Sequence, residues 1–567
     1  MIGANKFREL ISYIPGLLIL SLGIYLAIKQ PQATYIINQI HGYVELKEGK
    51  VGYGVWKNLD IFFRVWIYHV TNPDEVIQGG FPMFEERGPY VYNMNLKKNI
   101  INVDEDVDEI AFTTFRTYRF NQSESGSNTG DEEIVMLNSA YYGTILTNFV
   151  ITVASKIFSA QDLKTRVSEV QNAFFKNLIR PFFTEIQPIT ERFPMFIDKF
   201  GNSIQKLFPN ADDIFIRAKA KDILFDGLPL VCDKEANKEL LLICSGLRGK
   251  KPPIIKDTDK LDHYTYSLFQ RNNMTDDGPF TVNRGVKNKD ALGNITSHKG
   301  KRILKYWSEP ACNVVSGTDS ITWPPMKEKM PFVSVYEPNL CRTARAYYKR
   351  EEIIHGLMGY RYELDESTWL DKNMDCYCPI NSKKIKQCLI TGLMDITKCQ
   401  EAPAIFSEPH FLHGDKSLLE FAQGLKPNPH VHSTYITLNP LSGVPLSGSR
   451  KMQLNMQLKP IPAIKLLSNV SEGFFPMLWA EEANTATVKQ LSPIIMAHRL
   501  LRVFKYFSWL IIVLGIFFTV KIWWIRGGNN NQTIAEASVI QTQRVTIHPV
   551  QRLIHCKPDN HRKRAFM

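Results

Sequence analysis

The sequence predicts a mainly β, α+β body with an inserted helical block, held between two transmembrane helices. Three observations predict it. Uncharged apolar runs lie near both ends of the chain, eight cysteines fall between them, and much of the intervening segment alternates polar with apolar residues. At 567 residues the chain exceeds what a single compact core usually organises. With 44% hydrophobic and 22% charged residues it is a folding sequence, not a disordered one.

Residues 1–9 form a short, weakly basic start. Leu10–Ile28 then holds 19 residues without a charge, preceded by Lys6 and Arg8 and followed by Lys29. At about 1.5 Å per residue this helix crosses a bilayer core of about 30 Å. The run is long for a signal peptide, and no small-x-small cleavage site follows, so 10–28 reads as an uncleaved anchor. The second run, Tyr506–Val520, reaches Ile525 once Lys521 snorkels towards the headgroups. Trp509, Trp523 and Trp524 are interfacial anchors, and the second transmembrane helix is placed at 503–525. The tail, 526–567, is rich in Asn and Gln and carries seven Lys/Arg against two acids. Positive-inside logic puts both termini in the cytoplasm and 29–502 outside, as the ectodomain of a plasma-membrane protein. Nearly half of the formal charge of +12 sits in that tail, and the rest is spread thinly. No basic stripe or nucleic-acid module appears, so nucleic acid is not an expected partner.

An even set of cysteines outside the cytosol reads as a disulfide framework: Cys232, Cys244, Cys312, Cys341, Cys376, Cys378, Cys388 and Cys399. The last six occupy 312–399. Cys376-Tyr377-Cys378 has the wrong spacing for a zinc knuckle, and no metal is expected. Cys556, in the tail, is expected to be a free thiol. In the outer segment sequons begin at Asn121, Asn273, Asn294 and Asn469, all expected to carry glycans, whereas the one at Asn531, in the tail, is expected to stay bare.

Within the ectodomain, Phe112–Phe120 is rich in β-formers. Met452, Leu454, Met456 and Leu458 alternate with Gln453, Asn455, Gln457 and Lys459, which predicts a strand with one buried and one wet face. The stretch 138–226 has few glycines and helical apolar spacing, as at Phe175, Leu178, Ile179 and Phe182, and is expected to be a helical block. Pro181 is expected to end or kink its helix.

Val70-Thr71-Asn72-Pro73-Asp74-Glu75-Val76, then Gly79-Gly80 and Glu86-Arg87-Gly88-Pro89-Tyr90-Val91-Tyr92, strongly resemble the class B scavenger receptor family. Further marks follow in order: Phe280–Gly285, Trp307, Cys312-Asn313, Gly317-Thr318-Asp319, Pro324-Pro325, Pro409-His410-Phe411, Asn439-Pro440 and Leu478-Trp479 before Glu481-Glu482. Lys221–Gly227 and Tyr266–Phe269 are most similar to the insect sensory neuron membrane proteins. The resemblance implies an antiparallel β-barrel ectodomain with a helical apex and an internal hydrophobic tunnel leading towards the membrane. It also implies the pairs Cys312–Cys376, Cys341–Cys399 and Cys378–Cys388, where six cysteines alone allow 15 pairings. Cys232 and Cys244 remain as a fourth pair. The helical block is longer than is usual for the family.

No nucleophile elbow, zinc-protease helix, P-loop or dinucleotide fingerprint occurs, so neither enzyme activity nor a cofactor is expected. His410, His413, His430 and His432 read as hydrogen-bonded structural histidines. Adjacent acids such as Glu85-Glu86 and Glu481-Glu482 face opposite sides of a strand and make no acid/base dyad. What remains is binding. An apolar tunnel suits long-chain lipids, each buried CH₂ contributing about 0.8 kcal/mol. The expected function is a receptor or co-receptor that captures fatty-acid-derived lipids or pheromones and passes them to the membrane or to a partner odorant-receptor channel in sensory neuron cilia. Lys156, Lys164, Arg166, Lys176 and Arg180, on the helical block, are candidates for capture of a polar head. The alternative is a scavenger or adhesion receptor for protein or lipoprotein ligands, working in uptake or lysosomal trafficking. Pro549 stands where an acidic dileucine signal at Leu553-Ile554 needs its acid. Endoglycosidase treatment of the native protein is expected to lower its apparent mass, and Asn→Gln at all four sequons to abolish that shift. An unshifted native protein would place the segment between the anchors in the cytosol.

Overall fold

The computed structural model describes residues 2–141, 205–232 except 210 and 212, 244, 247–248, and 254–542 except 371, 379, 381–384, 401 and 463. The chain divides into two compact units, Ile37–Ala497 and the joined chain ends, Met1–Ile36 with His498–Met567.

In the terminal unit the helix Ile2–Lys29 continues, after Gln30, into Pro31–Val44, and one helix runs from Val488 to Thr542. Ile11–Val44 and Val488–Ile525 are long and apolar enough to cross a membrane, each with mean hydropathy 2.0. The second helix begins well before the expected 503. Its Gly515 lies against the first helix so closely that a Cβ there would sit 2.6 Å from Leu20 Cα. Such approach of two backbones is how helices associate in lipid, where apolar side chains gain nothing by leaving the solvent.

The larger unit is built on strands: β1 (Asn58–Val70), β2 (Phe84–Asp104), β3 (Glu109–Phe120), β4 (Glu133–Leu137), β5 (Phe215–Lys219), β6 (Leu228–Val231), β7 (Ile255–Asp257), β8 (His263–Tyr266), β9 (Asp276–Asn283), β10 (Ile295–His298), β11 (Phe332–Glu337), β12 (Arg342–Ile354), β13 (Leu357–Glu363), β14 (Met394–Asp395), β15 (Ile405–Ser407), β16 (Tyr435–Leu438), β17 (Pro445–Leu458) and β18 (Gly473–Thr485). Thirteen of these make one antiparallel sheet in the order β10-β9-β3-β2-β1-β18-β17-β16-β13-β12-β11, with β14 and β15 attached to β17. The sheet curls into a nearly closed barrel. Its two edge strands are joined by Gly317-Thr318-Asp319: the Ile295 amide donates to the Gly317 carbonyl at 2.9 Å, and the Tyr336 amide donates to the Thr318 carbonyl at 3.0 Å. Edges that would otherwise template aggregation are thereby paired.

β1 shows why the strands hold. Phe63, Val65 and Ile67 are buried on one parity, as a pleated strand with one packed face requires. On the opposite parity Trp66 stacks flat on Trp479 of β18, directly across the ladder, with centroids 3.8 Å apart.

Two local expectations change. The polar parity of β17 is not wet: Gln453 and Asn455 are 1% and 0% exposed. The segment Ile405–Phe411 covers them: Gln453 Oε1 accepts from Tyr68 Oη and from the His410 amide, and the Asn455 side-chain amide donates to the Ile405 carbonyl and to Ser407 Oγ. Burial of polar groups costs little when partners are supplied. The expected helical block also stops short of residue 226, since 215–219 is β5 and pairs with β4. Ile214, Phe215 and Ile216 are all buried, and such an unbroken apolar run does not distinguish a buried strand from a helix. Phe175, Leu178, Ile179, Pro181 and Phe182 lie outside the described residues.

Four disulfides join Cys312 to Cys376, Cys341 to Cys399, Cys378 to Cys388 and Cys232 to Cys244. The first two close loops of 64 and 58 residues around β11–β14 and fasten them beside the seam.

At the seam, Gly317 has φ +93, and a Cβ there would meet the Ser334 carbonyl oxygen at 2.9 Å. Gly317→Ala is expected to destabilise the ectodomain by about 1–3 kcal/mol. The check is thermal unfolding of the detergent-solubilised chain, and an unchanged midpoint would show that the seam tolerates a side chain.

Candidate ligand cavity

The barrel encloses a cavity of about 350 Å³. This lies within the range of sites that bury small apolar ligands. Along β17 the lining runs from Pro445 to Met452, about 24 Å at about 3.4 Å per residue. One end is apolar and draws on both segments by which the chain enters and leaves this unit: Tyr43, Val44, Leu491 and Ile494. Its middle is walled by Phe112 of β3, Phe280 of β9, Ile295 of β10 and Val335 of β11.

Charged side chains interrupt this apolar wall as ion pairs. Lys98 of β2 is 1% exposed and places Nζ 2.8 Å from Asp319 Oδ2, at the seam. Trp56, from the short helix Val51–Lys57, donates its indole N–H to the same oxygen at 2.5 Å, and its ring lies 4.0 Å from Lys98 Nζ. Asp319 Oδ1 accepts from the amides of Ile321 and Thr322. Burial pushes the Lys98 ammonium down to about 8, with Asp319 opposing the shift. Nearer the other end, Arg450 bridges Glu337 and Glu482. Lys451 reaches Glu481 at 3.3 Å and Ser449 Oγ at 2.7 Å. Burial alone would raise the Glu481 carboxyl, but the hydrogen bond from Ser449 and the charges of Lys451 and Arg64 outweigh it and hold the group below its usual range. The arrangement can enclose an acyl chain.

Of the four histidines, His410 and His432 are buried and His413 half-buried, whereas His430 is exposed and only its backbone amide is hydrogen-bonded, to Asn428 Oδ1. His410 Nδ1 accepts from the Lys426 amide at 3.1 Å, which leaves its proton on Nε2, directed at Glu86 Oε2 at 2.6 Å. Trp479 donates to the same carboxylate oxygen at 2.8 Å. His432 stacks on His410 at 4.3 Å, and His413 Nδ1 meets Glu408 at 2.9 Å. Glu85, next to Glu86, instead pairs with Arg87.

The five proposed capture cations, Lys156, Lys164, Arg166, Lys176 and Arg180, lie outside the described residues. Of the four sequon asparagines, Asn469 is exposed and Asn121, Asn273 and Asn294 are half-buried. The Asn121 side chain accepts from the Glu124 amide, and Asn273 Oδ1 accepts from the Tyr118 amide. Sequence reasoning did not single out the cavity's charged set, which includes Lys98, Arg116, Arg450 and Lys451. The available signal was a lone cation on the inward parity of an apolar strand, as at Arg116 in Phe112–Phe120.

Burial pushes His298 and His432 down to about 4. Their folded values lie below the ordinary 6.5, so between the two the unfolded chain binds more protons, and stability is lost as pH falls from about 6.5 to 4. Each contributes a slope of up to about 1.4 kcal/mol per pH unit. Melting temperatures measured from pH 7 to 4.5 are expected to fall, and to fall less steeply in His298→Gln/His432→Gln. Equal slopes would remove these histidines as the acid-sensitive groups.

A sequence profile of the CD36 family matches residues 14–525. The chain is 30% identical over 531 residues to sensory neuron membrane protein 2 of Heliothis virescens, covering 90% of this chain and 94% of that protein. It is 29% identical over 502 residues to sensory neuron membrane protein 2 of Manduca sexta, covering 86% and 88%. Sensory neuron membrane protein 1 of Apis mellifera is 28% identical over 488 residues, covering 85% and 84%.

Proposed function

Because the chain belongs to the CD36 family, whose members are class B scavenger-type membrane receptors, we propose that it captures hydrophobic, fatty-acid-derived ligands and holds them in the barrel cavity. The observation that carries this reading is the cavity itself: an apolar chamber inside a nearly closed sheet, lined at one end by the segments leading to both apolar helices. A C16 chain moved from water into such a lining gains several kcal/mol after ordering costs. From there the ligand passes to the bilayer or to a neighbouring odorant-receptor channel. The names of the relatives support a sensory setting. Both termini are then cytoplasmic, the capture cations of 138–226 serve the entry side, and glycans occupy the four sequons.

A bulky residue in the wall tests this. Ala344→Phe projects a ring from β12 into the chamber, and Ala344 lines the cavity without being fully buried. In cells expressing the chain with a partner channel, ligand-evoked current is expected to drop at least fivefold while surface delivery and glycosylation hold. An unchanged current would remove the cavity from the transfer route.

A further inference from the structure

Of the four cations lining the cavity, three are satisfied by carboxylates. Lys98 has Asp319, Arg450 has Glu337 and Glu482, and Lys451 has Glu481. Arg116 differs. Its side chain is only 17% exposed, yet its sole ion contact among the described residues is Asp277 at 3.7 Å, and that carboxylate is itself 41% exposed. Among the described residues its guanidinium makes no hydrogen bond, so its N–H donors remain available at the wall of a largely apolar chamber. A charge at an apolar wall is ordinarily met by hydrogen bonds as well as by a counter-charge.

The surroundings of Arg116 share this deficit. Residues two apart on a strand face the same side, and Phe112, Thr114 and Arg116 of β3 all line the cavity. The Thr114 hydroxyl is buried without a partner. Directly across the ladder from Thr114 stands Lys98. The charge of Arg116 adds to burial in lowering the Lys98 ammonium. One strand therefore presents, in sequence, an aromatic ring, a hydroxyl and an unsatisfied guanidinium.

We propose that Arg116 anchors the head of an anionic amphiphile by a bidentate contact, with the acyl chain laid past Thr114 and Phe112 into the apolar end of the cavity. This rests on the chamber being the ligand site. Two head groups share the required chemistry, a fatty-acid carboxylate and the phosphate of a single-chain lysolipid, since both offer paired anionic oxygens to a planar fork.

The test is direct binding of three probes to the full-length chain in nanodiscs: palmitate, 1-hexadecanol and palmitoyl lysophosphatidate. Arg116→Gln is expected to weaken the anionic probes at least tenfold and hexadecanol less than twofold, with Arg116→Lys recovering part of the loss. A loss confined to one anion supports the proposal and identifies its head group. No loss, or an equal loss for hexadecanol, overturns it while leaving the chamber reading intact, provided that Ala344→Phe still weakens every probe. If Ala344→Phe weakens none, the chamber reading fails instead. Should Arg116→Gln not fold, Arg116→Lys decides: it keeps the charge but loses the fork, so the anions are expected to weaken and hexadecanol to hold.

Discussion

Closure of the sheet at Gly317-Thr318-Asp319 is the constraint on which the rest of the structure depends. An open sheet of this size would expose the edges of β10 and β11 and could not wall off a chamber. The seam supplies backbone partners to β10 and β11 at once. It also delivers Asp319 to the inside, where that carboxylate holds Lys98 and Trp56 in place. One short segment thus completes the barrel's hydrogen bonding and fixes the charge pattern of its interior.

That pattern is a balance of opposed costs. Taking an ammonium or guanidinium out of water is expensive, and pairing returns much of the loss only when geometry and further hydrogen bonds are good. Asp319 meets this standard, with four donors spread over its two oxygens. So does Glu481, held by Ser449, Arg64 and Lys451. These satisfied groups give the chamber a polar skeleton without free charge. The contrast with Arg116 comes from geometry, because Lys98, Arg116, Arg450 and Lys451 all stand on strands of the same sheet.

Much of the fold was legible in the sequence, and the reasons differ by element. The terminal helices are visible because uncharged runs of that length have few other uses. β3 was visible in the β-formers of Phe112–Phe120. β17 was recognised by its period of two, but the burial of Gln453 and Asn455 was not, since the cover comes from Ile405–Phe411, some forty to fifty residues earlier. β5 was hidden because Ile214-Phe215-Ile216 suits either a helix or a buried strand. The cysteine pairs came from family likeness, as spacing alone left them open. The cavity and its apolar character were likewise implied by family likeness and not by patterning. Which cations share a wall, and which find carboxylates, depends on pairings across hundreds of residues, such as Arg450 with Glu337.

The order of the strands carries a consequence for how the chain is made. β1 hydrogen-bonds to β18, so Phe62 meets Ala483, more than 400 residues downstream. At about 5–20 residues per second of synthesis, one flank of β1 waits about 20–80 s for its neighbour. The Trp66 ring lacks the Trp479 face for as long. Nascent chains therefore spend most of their elongation with an apolar ribbon unclaimed, and their dependence on escorts during biogenesis is set by topology.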